Sequence, residues 1–439
     1  MLKRSAEADL DAFLESDEKK CLVIRGARQV GKTYLVREAG RKRTGWSFIE
    51  VNFLEQPQLK DIFSGSLDIA ALLLNFSVML PSARFVPGKT LLLLDEIQEC
   101  PEAVTSLKFW AEDGRFRVVA TGSMLGIDYK RPSSYPVGAI RYLDMYPLGF
   151  REFLWAEGVD ESAIEAIRGF FMRREPVPRA VHEQMLKYLK LYMIVGGMPD
   201  VVNRLVETGD IREVDKRQRE ILSDYRYDIA HYASPDIKIK AEKCYFSLPR
   251  QLSKANHKFQ YSVVEKGSTK RKYGSSIDWL EQADLVTACA SVSKIEFPLD
   301  SFADSNSVRL YPLDTGLLLG MFDYSVKMAL MNDGTEESPV ILQAKGGIYE
   351  ALVADILTKN GHRNLYFYKN DTTAIEIEFL IQSDAGIVPI EVKAGNNRSR
   401  SLDRILKKNP AMTGYKLIDG NVGVSDRKVS IPLYMAMFL

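Results

Sequence analysis

A short stretch near the start of the chain has the residue types and spacing of a phosphate-binding loop. GARQVGKT fits the pattern G-x-x-x-x-G-K-[ST] at Gly26, Gly31, Lys32 and Thr33. The backbone N–H groups of such a loop surround a phosphate, the lysine reaches the terminal phosphates, and the threonine hydroxyl ligates magnesium. The sequence therefore predicts a site for ATP and Mg²⁺. The residues predicted to bind the nucleotide are Gly26, Ala27, Arg28, Gln29, Val30, Gly31, Lys32, Thr33 and Tyr34.

An acidic pair that follows an apolar run supplies the second half of this chemistry. In TLLLLDEIQ the leucines are typical of a strand buried on both faces, and Asp95 lies at its carboxyl end. Open α/β sheets bind ligands at that edge, so we expect Asp95 to hold the magnesium through water, beside Thr33. Glu96 and Lys32 are candidate catalytic residues, and Glu96 is the one expected to polarise the attacking water.

A third apolar run, RFRVVATGS, ends in small polar residues. Thr121 and Ser123 are candidates to hydrogen-bond the γ-phosphate or the attacking water. The alternative is that they only cap a strand end that leads into a helix. The sequence leaves both interpretations open.

The elements predicted around these residues form a parallel α/β sheet. CLVIR, from Cys21 to Arg25, precedes the loop, and KTYLVREAG continues from it as a helix. WSFIEVNF and IRYLDMYPL complete a predicted sheet of five parallel strands, with helices between them. One of these helices, PEAVTSLKFWAEDG, begins with Pro101.

A second cluster of charged residues is predicted in the C-terminal region. AIEIEFLIQ and VPIEVKAG are predicted strands, and GGIYEALVADILTKNG is a predicted helix that contains Glu350. Glu391 and Lys393 share one face of their strand, because residues two apart point the same way. If Glu378 lies beside them on the next strand, the cluster can bind a metal and activate water for phosphodiester cleavage. The alternative is a buried ion-pair cluster in a region that only binds.

Composition excludes several classes of protein. Lys+Arg (59) nearly equals Asp+Glu (58) in 439 residues, so any contact with nucleic acid must be local. This length fits two to four domains. The four scattered cysteines have the spacing of neither a disulfide framework nor a zinc site. No signal peptide or membrane-spanning run is recognisable, so we expect a soluble cytoplasmic protein with no membrane partner.

The middle of the chain has a helical pattern followed by a local concentration of positive charge. Residues 151–225 are predicted as amphipathic helices. From Ile237 the order helix, turn, helix and β-hairpin resembles a winged helix. Lys270, Arg271 and Lys272 lie in its basic, aromatic-rich segment and are the candidate contact with DNA or RNA. The alternatives are a solvated surface loop and a contact with a protein partner.

Five stretches together resemble a known family. GARQVGKT, LLLLDEIQ, ATGSM, YPLGFREFL and VGGMPDVV look like prokaryotic AAA-type (AAA_14) P-loop ATPases with a DUF4143 C-terminal region, which are related to STAND-like archaeal ATPases. The resemblance extends over nearly the whole chain. It implies a helical lid over the nucleotide, with Gly196, Gly197 and Pro199 at a hinge between lid and core.

The resemblance also implies a C-terminal region with the restriction-endonuclease-like PD-(D/E)xK fold. Glu350, Glu378, Glu391 and Lys393 match the positions of that motif. The chain has E-I-E-F where the family has E-V-D-F, so Glu378 is one methylene longer than the usual aspartate. The longer side chain moves the carboxylate by about 1.5 Å, which a metal site tolerates poorly.

We therefore expect an α/β protein with four domains. They are a P-loop AAA-type ATPase core with a parallel sheet at 1–150, a helical lid and connector at 151–225, a winged-helix-like domain at 226–335 and a restriction-endonuclease-like DUF4143 domain at 336–439.

The main functional hypothesis is Mg²⁺-dependent ATP binding and hydrolysis, coupled to a conformational change of a C-terminal region that binds nucleic acid or a partner. One alternative is a slow nucleotide-gated switch or scaffold that binds a protein partner, and another is an ATP-controlled nuclease. Arg131 and Arg141 are candidate arginine fingers for a neighbouring subunit, and the oligomeric state stays open.

Overall fold

The chain folds into two compact units. A computed structural model describes residues 2–122, 136–254, 256–331, 339–384, 386–393 and 400–439. The first unit comprises Lys3–Tyr146 and Gln282–Asp284, and the second comprises Pro147–Glu281 and Leu285–Leu439. Across the described parts of the chain, no helix combines the length and the apolar character needed to cross a bilayer.

The first unit contains a five-stranded parallel sheet, which confirms the predicted core. Its strands are β1 Cys21–Arg25, β2 Ser47–Asn52, β3 Thr90–Asp95, β4 Arg117–Gly122 and β5 Ile140–Asp144. They lie in the order β2-β3-β4-β1-β5, and every neighbouring pair is parallel. All six residues of β3 are buried, as a continuous apolar run predicts for a central parallel strand.

Helices pack an aromatic core against this sheet. They are α1 Ala6–Glu15, α2 Lys32–Lys42, α3 Ile69–Met79 and α4 Pro101–Asp113, with short 3₁₀ helices at Pro57–Phe63 and Ile97–Glu99. α4 begins with a proline, as predicted, because the first helical position needs no N–H donor. The Trp110 ring of α4 stacks on the Phe85 ring at 5.9 Å. This packing fixes α4 and, with it, the turn between β3 and α4 that begins at Glu96.

The second unit begins with a series of helices. They are α5 Phe150–Ala156, α6 Glu161–Arg173, α7 Arg179–Val195, α8 Pro199–Thr208, α9 Ile211–Tyr232, α10 Lys238–Tyr245, α11 Leu248–Leu252, α12 Tyr261–Val264 and α13 Lys270–Gln282. Residues 151–225 are therefore mainly helical, as their amphipathic pattern predicts. The Tyr192 ring of α7 lies 5.4 Å from the Phe150 ring and 5.3 Å from the Phe153 ring, which ties α7 to α5.

An eight-stranded mixed sheet completes the second unit. Its strands are β6 Val286–Val292, β7 Ala303–Pro312, β8 Leu365–Asn370, β9 Ile375–Ser383, β10 Gly386–Val392, β11 Gly414–Ile418, β12 Gly423–Ser425 and β13 Lys428–Pro432. Their order is β12-β13-β11-β10-β9-β8-β6-β7. The helices in this part are α14 Thr315–Gly320, α15 Tyr324–Met331, α16 Pro339–Lys359 and α17 Arg400–Lys408, with 3₁₀ helices at Leu299–Phe302 and Leu433–Phe438.

The hairpin predicted as part of the middle domain belongs to this large sheet. β6 pairs with β7 in antiparallel orientation and with β8 in parallel orientation. Strands on both sides of the boundary predicted at residue 335 therefore share one sheet. A hairpin edge gains backbone hydrogen bonds by joining a neighbouring sheet, and the periodicity of the sequence does not reveal such pairing. The winged-helix assignment and the four-domain division stay predictions.

Candidate functional site

The predicted phosphate-binding loop lies between β1 and α2, at the carboxyl edge of the parallel sheet. Gly26 follows β1 with a φ of 150°, and a Cβ atom there would lie 2.0 Å from the Met145 carbonyl oxygen. Only glycine permits this close approach. Gly31 precedes the first turn of α2 with a φ of 95°. Both glycines of the sequence pattern therefore occupy positions that disfavour a side chain.

Lys32 is turned into its own loop. Its ammonium group donates to the carbonyl oxygens of Gly26 (2.9 Å) and Ala27 (2.7 Å). Burial lowers the pKa of Lys32 from 10.5 to about 8, although the carboxylates of Glu96 and Asp95 act in the opposite direction. A buried ammonium group that donates to carbonyl oxygens is well suited to exchange them for the oxygens of a phosphate, which carry charge.

The remaining loop residues differ in exposure. Ala27 and Val30 are buried, Arg28 is half-buried, and Gln29 and Tyr34 are exposed. The predicted nucleotide contacts at these positions stay predictions.

An arginine that the sequence analysis missed braces the same loop. Arg4 is buried, and its guanidinium group donates to the carbonyl oxygens of Val30 (2.8 Å) and Tyr146 (2.7 Å). These contacts hold the loop backbone directly before Gly31. No pattern in the sequence signals these contacts, because Val30 and Tyr146 follow Arg4 in the chain by 26 and 142 positions, respectively.

Asp95 is surrounded by neutral donors at the end of β3. Its Oδ1 accepts hydrogen bonds from the hydroxyl groups of Thr33 (2.8 Å) and Thr121, and its Oδ2 accepts one from the Asn52 amide (2.9 Å). The structure thus brings together three predicted residues and adds Asn52. The available signal for Asn52 was a polar residue at the end of β2, directly beside Asp95. Neutral donors orient the carboxylate without cancelling its charge, which suits a hard cation such as Mg²⁺.

Glu96 leaves β3 in a left-handed conformation, with a φ of 53° and a ψ of 47°. Its half-buried carboxylate accepts a hydrogen bond from the side-chain amide of Gln98. Neighbouring Asp95 and Glu96 therefore have different partners. A left-handed non-glycine residue is uncommon, and such residues are concentrated at functional sites.

In the second unit the predicted carboxylates meet, and a lysine lies between them. Lys393 Nζ is 3.1 Å from Glu378 Oε1 and 3.5 Å from Glu391 Oε1. Glu378 Oε2 also accepts a hydrogen bond from the Val392 N–H (3.2 Å). Burial raises the pKa of Glu378 from 4.5 to about 7; the carboxylates of Glu350 and Glu391 add to the rise, and Lys393 opposes it. Glu378 of β9 therefore lies beside Glu391 of β10 and Lys393, which is the arrangement on which the predicted cluster depends.

Glu350, the helical member of the cluster, has other partners. Its Oε2 accepts hydrogen bonds from Arg309 (3.1 Å) and the Tyr311 hydroxyl (3.0 Å), and its Oε1 lies 2.9 Å from His257 Nδ1. Arg309 is inaccessible and also pairs with Glu376. Among the residues that the structure describes, no three Asp, Glu, His or Cys side chains are arranged to hold a metal ion. This arrangement resembles the ion-pair alternative, and the second metal site stays a prediction without structural support.

The basic segment predicted to contact nucleic acid lies in the first turn of α13. Lys270 Nζ donates to Asn306 Oδ1 (3.2 Å), and Lys272 pairs with Glu265. Arg271 lies between them and is exposed. Positive side chains at this end of a helix add to the positive end of its dipole. The segment is therefore a positive surface that Glu265 partly neutralises.

The Gly-Gly-x-Pro stretch joins α7 to α8 within the second unit. The Gly197 N–H donates to Asp314 Oδ2 (2.6 Å), and the Gly197 carbonyl accepts from the Leu148 N–H (2.7 Å). A Cβ atom at Gly197 would lie 2.0 Å from the Leu148 carbonyl oxygen. Asp314 pairs in turn with the buried Lys359 at 3.3 Å. Close packing therefore accounts for this glycine, and the hinge implied by the family resemblance stays a prediction.

Two of the predicted residues, Ser123 and Arg131, lie outside the described residues. Arg141, the other candidate arginine finger, is the second residue of β5 and lies 3.3 Å from Glu18. It is opposite Leu22 of β1, at the other end of that strand from the phosphate-binding loop. Arg141 is therefore distant from the loop of its own chain, and a role in a neighbouring subunit stays a prediction.

Three parts of the chain match known protein families. Residues 18–154, which include the loop and the acidic pair, match the family described as an AAA domain, AAA_14. Residues 345–435 match DUF4143 and residues 186–327 match DUF8612, both described as domains of unknown function. The first two matches confirm the resemblance carried by the five sequence stretches, and the DUF8612 match was not foreseen.

Wider comparisons find similar proteins at low sequence identity. An uncharacterized protein of Methanocaldococcus jannaschii is 25% identical over 223 residues, which are 51% of this chain and 44% of that protein. The match thus spans less than half of the relative. The Walker-type ATPase of Pyrococcus abyssi has a TM-score of 0.43 at 15% identity, covering 73% of this chain and 96% of its own. A STAND protein with a tetratricopeptide repeat sensor from Pyrococcus horikoshii has a TM-score of 0.28 at 13% identity, covering 82% and 46%.

Proposed function

We propose, from the premise that this chain belongs to the AAA-type (AAA_14) P-loop proteins with a DUF4143 region, that it binds and hydrolyses ATP with Mg²⁺. Turnover is coupled, in this proposal, to a conformational change of a C-terminal region that binds nucleic acid or a protein partner. The observation that supports it most is the meeting of Thr33, Asp95 and Thr121 beside Lys32 and the loop. Open α/β sheets bind their ligands at this edge.

Each side chain has a separate task in the proposed reaction. Lys32 exchanges its two carbonyl acceptors for phosphate oxygens, which bind an ammonium group more strongly because they are charged. Thr33 would hold Mg²⁺ directly and Asp95 would hold it through water. The ion, when bound, neutralises charge on the phosphates. Asn52 and Thr121 keep the Asp95 carboxylate in place through their hydrogen bonds.

Glu96 is the proposed general base. Its carboxylate is half-buried and close enough to Lys32 to act on the pKa of that lysine. A carboxylate in this place can accept a proton from a water that attacks the γ-phosphate. A glutamine there keeps the size of the side chain and loses its basicity. The Glu96→Gln variant therefore tests proton acceptance by Glu96 separately from its packing.

A slow nucleotide-gated switch is the second candidate, and the position of Lys32 favours it. The lysine is held by its own loop through the carbonyls of Gly26 and Ala27. A nucleotide must therefore replace two hydrogen bonds of the Lys32 side chain before any chemistry takes place. A protein that only reports this exchange to a partner needs differential binding and no rapid turnover.

For the C-terminal region, the proposal favours binding over cleavage. Arg309, Tyr311 and His257 already contact the Glu350 carboxylate, so an ATP-controlled nuclease would lack one acidic side chain for metal. The basic turn at 270–272 supports a nucleic-acid contact, because its charges add to the helix dipole.

We also propose a cytoplasmic location, which the four free cysteine thiols support.

Steady-state phosphate release with Mg-ATP, with and without DNA or RNA, tests the proposal. We expect wild type to turn over, and Glu96→Gln and Lys32→Ala to lower kcat by about 10²- to 10³-fold. Glu112→Gln and Lys108→Ala are matched controls, because both side chains are exposed on α4.

Three results are informative. Turnover that rises with nucleic acid supports a coupled ATPase. Wild-type turnover that stays at the Glu96→Gln level in every condition contradicts hydrolysis. If wild type still binds ATP in that case, the nucleotide-gated switch replaces the ATPase as the supported function. A loss of turnover in the control variants as well shows that the assay reports stability and not the site.

A further inference from the structure

We infer that Gln98 is a positioning residue for ATP hydrolysis and that it holds the Glu96 carboxylate in the orientation that accepts a proton. The inference rests on the hydrolysis proposed above. It gives a task to a side chain that belongs neither to the phosphate-binding loop nor to the acidic pair.

The environment of Gln98 is unusual for a glutamine. The residue is only 2% exposed, and its side-chain N–H donates to Glu96 Oε2. Its Oε1, within the part of the chain that the structure describes, has no hydrogen-bond partner. A buried amide oxygen without a partner destabilises a fold, whereas an apolar side chain of the same length carries no such cost. Packing alone therefore does not account for a glutamine at this position.

The hydrogen bond acts on a side chain that the strand itself does not orient. Glu96 leaves β3 with a positive φ, so its direction depends on the contacts of the turn that follows. Asp95, in contrast, is held by three side-chain donors on β2, β4 and α2. The Gln98 amide occupies only one of the lone-pair positions of the Glu96 carboxylate, which leaves Oε1 able to accept a proton from water.

Gln98 is itself placed by a well-anchored turn. Ile97 before it is 1% exposed. The Glu99 N–H donates to the Glu96 carbonyl at 3.0 Å, and the Cys100 N–H donates to the Ile97 carbonyl at 3.0 Å. This 3₁₀ turn keeps Gln98 and Glu96 in fixed register. A residue that orients another side chain needs such support, because small displacements of a catalytic group lower the rate.

The experiment compares wild type, Gln98→Met, Glu96→Gln and the double variant in steady-state phosphate release and thermal unfolding. Methionine keeps the length and volume of glutamine but donates no hydrogen bond. We expect Gln98→Met to lower kcat about tenfold with an unchanged KM for ATP. Its thermal midpoint is not lowered, and the double variant is no slower than Glu96→Gln alone, because Gln98 acts through Glu96. Gln58→Met, at an exposed glutamine, is the matched control.

Several results overturn the inference. An unchanged kcat in Gln98→Met excludes positioning, and a raised kcat shows that Gln98 restrains Glu96 instead. A lower thermal midpoint with a proportional loss of activity shows a structural role, and a double variant slower than Glu96→Gln shows that Gln98 acts elsewhere. Wild type no faster than Glu96→Gln removes the hydrolysis proposal together with the inference, whereas active wild type with an equally active Gln98→Met variant removes the inference alone.

Discussion

The two carboxylate clusters of this protein differ in the groups that hold them. In the first unit, Asp95 accepts hydrogen bonds from two hydroxyl groups and one amide, all of them neutral. In the second unit, Glu350 faces Arg309, and Glu378 faces Lys393. The first arrangement keeps a negative charge at the edge of the sheet. In the second, the Arg309 guanidinium group offsets the charge of Glu350, and burial favours the protonated, neutral form of Glu378. The donors around a carboxylate therefore matter as much as its spacing in the sequence.

Burial makes this difference energetically important. Asp95 is 3% exposed, so its charge is costly to bury. The nearby Lys32 ammonium group offsets part of that cost, and Mg²⁺ with a nucleotide would offset more. Glu350 is 7% exposed but already has a guanidinium partner. We expect the first unit to gain from a metal ion and the second to gain little.

Removing the guanidinium group of Arg309 has the largest expected effect. Arg309→Met leaves the Glu350 carboxylate buried without its cation, so the free energy of unfolding falls by about 3–5 kcal/mol. Equilibrium urea unfolding of the full chain measures this change. Arg271→Met, at an exposed arginine, is the control and shifts the same quantity by less than about 0.5 kcal/mol.

A double variant separates loss of charge pairing from loss of packing. Adding Glu350→Gln to Arg309→Met removes the unpaired charge, so we expect part of the lost stability to return. If Arg309→Met lowers the free energy of unfolding no more than Arg271→Met does, the Arg309 guanidinium group is not a buried partner that the Glu350 carboxylate needs.

The dependence of turnover on Mg²⁺ is the second way to break the comparison. Asp95→Asn keeps the size of the side chain and removes its charge, so the Mg²⁺ concentration for half-maximal ATP turnover rises about tenfold, or about 1.4 kcal/mol. Glu391→Gln, a matched change at a buried carboxylate of the second unit, leaves that concentration unchanged. A shift of similar size in Glu391→Gln shows that the second cluster also takes part in metal binding.

The site of the first unit was predictable because its residues follow a simple geometric rule. The carboxyl ends of parallel strands share one edge, so the loop after β1, Asp95 at the end of β3 and Thr121 in β4 had to lie near one another. Asn52 obeys the same rule at the end of β2 and was available to the same reasoning. Gln98 was not, because its hydrogen bond depends on the left-handed backbone of Glu96.

The second unit was predictable only in part. Alternation of side chains placed Glu391 and Lys393 on one face, since it depends on strand geometry alone. The approach of Glu378 from the neighbouring strand was a condition of the prediction and not its result. The partner of Glu350 escaped prediction, because Arg309 precedes it by 41 residues and lies on a strand assigned to another domain. Arg309 lies on β7, which pairs with β6, and the pairing of β6 with β8 brings both strands into the sheet. Such long-range pairing leaves no periodic signal in the sequence.

The pH dependence of stability gives an effect of similar size and the sharpest test of charge in the second cluster. Burial raises the pKa of Glu378 from 4.5 to about 7, so the folded protein retains a proton that the unfolded chain loses between these values. The free energy of unfolding therefore falls as the pH rises through this window and is constant with respect to this group above it. Burial also raises the pKa of Asp355 from 3.8 to about 7, which adds a similar slope.

Glu378→Gln removes one of these two contributions. We expect urea unfolding between pH 5 and pH 8 to show a shallower slope than in wild type, with a difference of about 1–2 kcal/mol across the range. Glu112→Gln, at an exposed carboxylate, keeps the wild-type slope. A slope that Glu378→Gln leaves unchanged means that Glu378 is ionised in the folded protein at neutral pH. In that case Glu378 and Glu391 are two buried negative charges that share one lysine, a cluster that still attracts a divalent cation, and the contrast with Asp95 no longer holds.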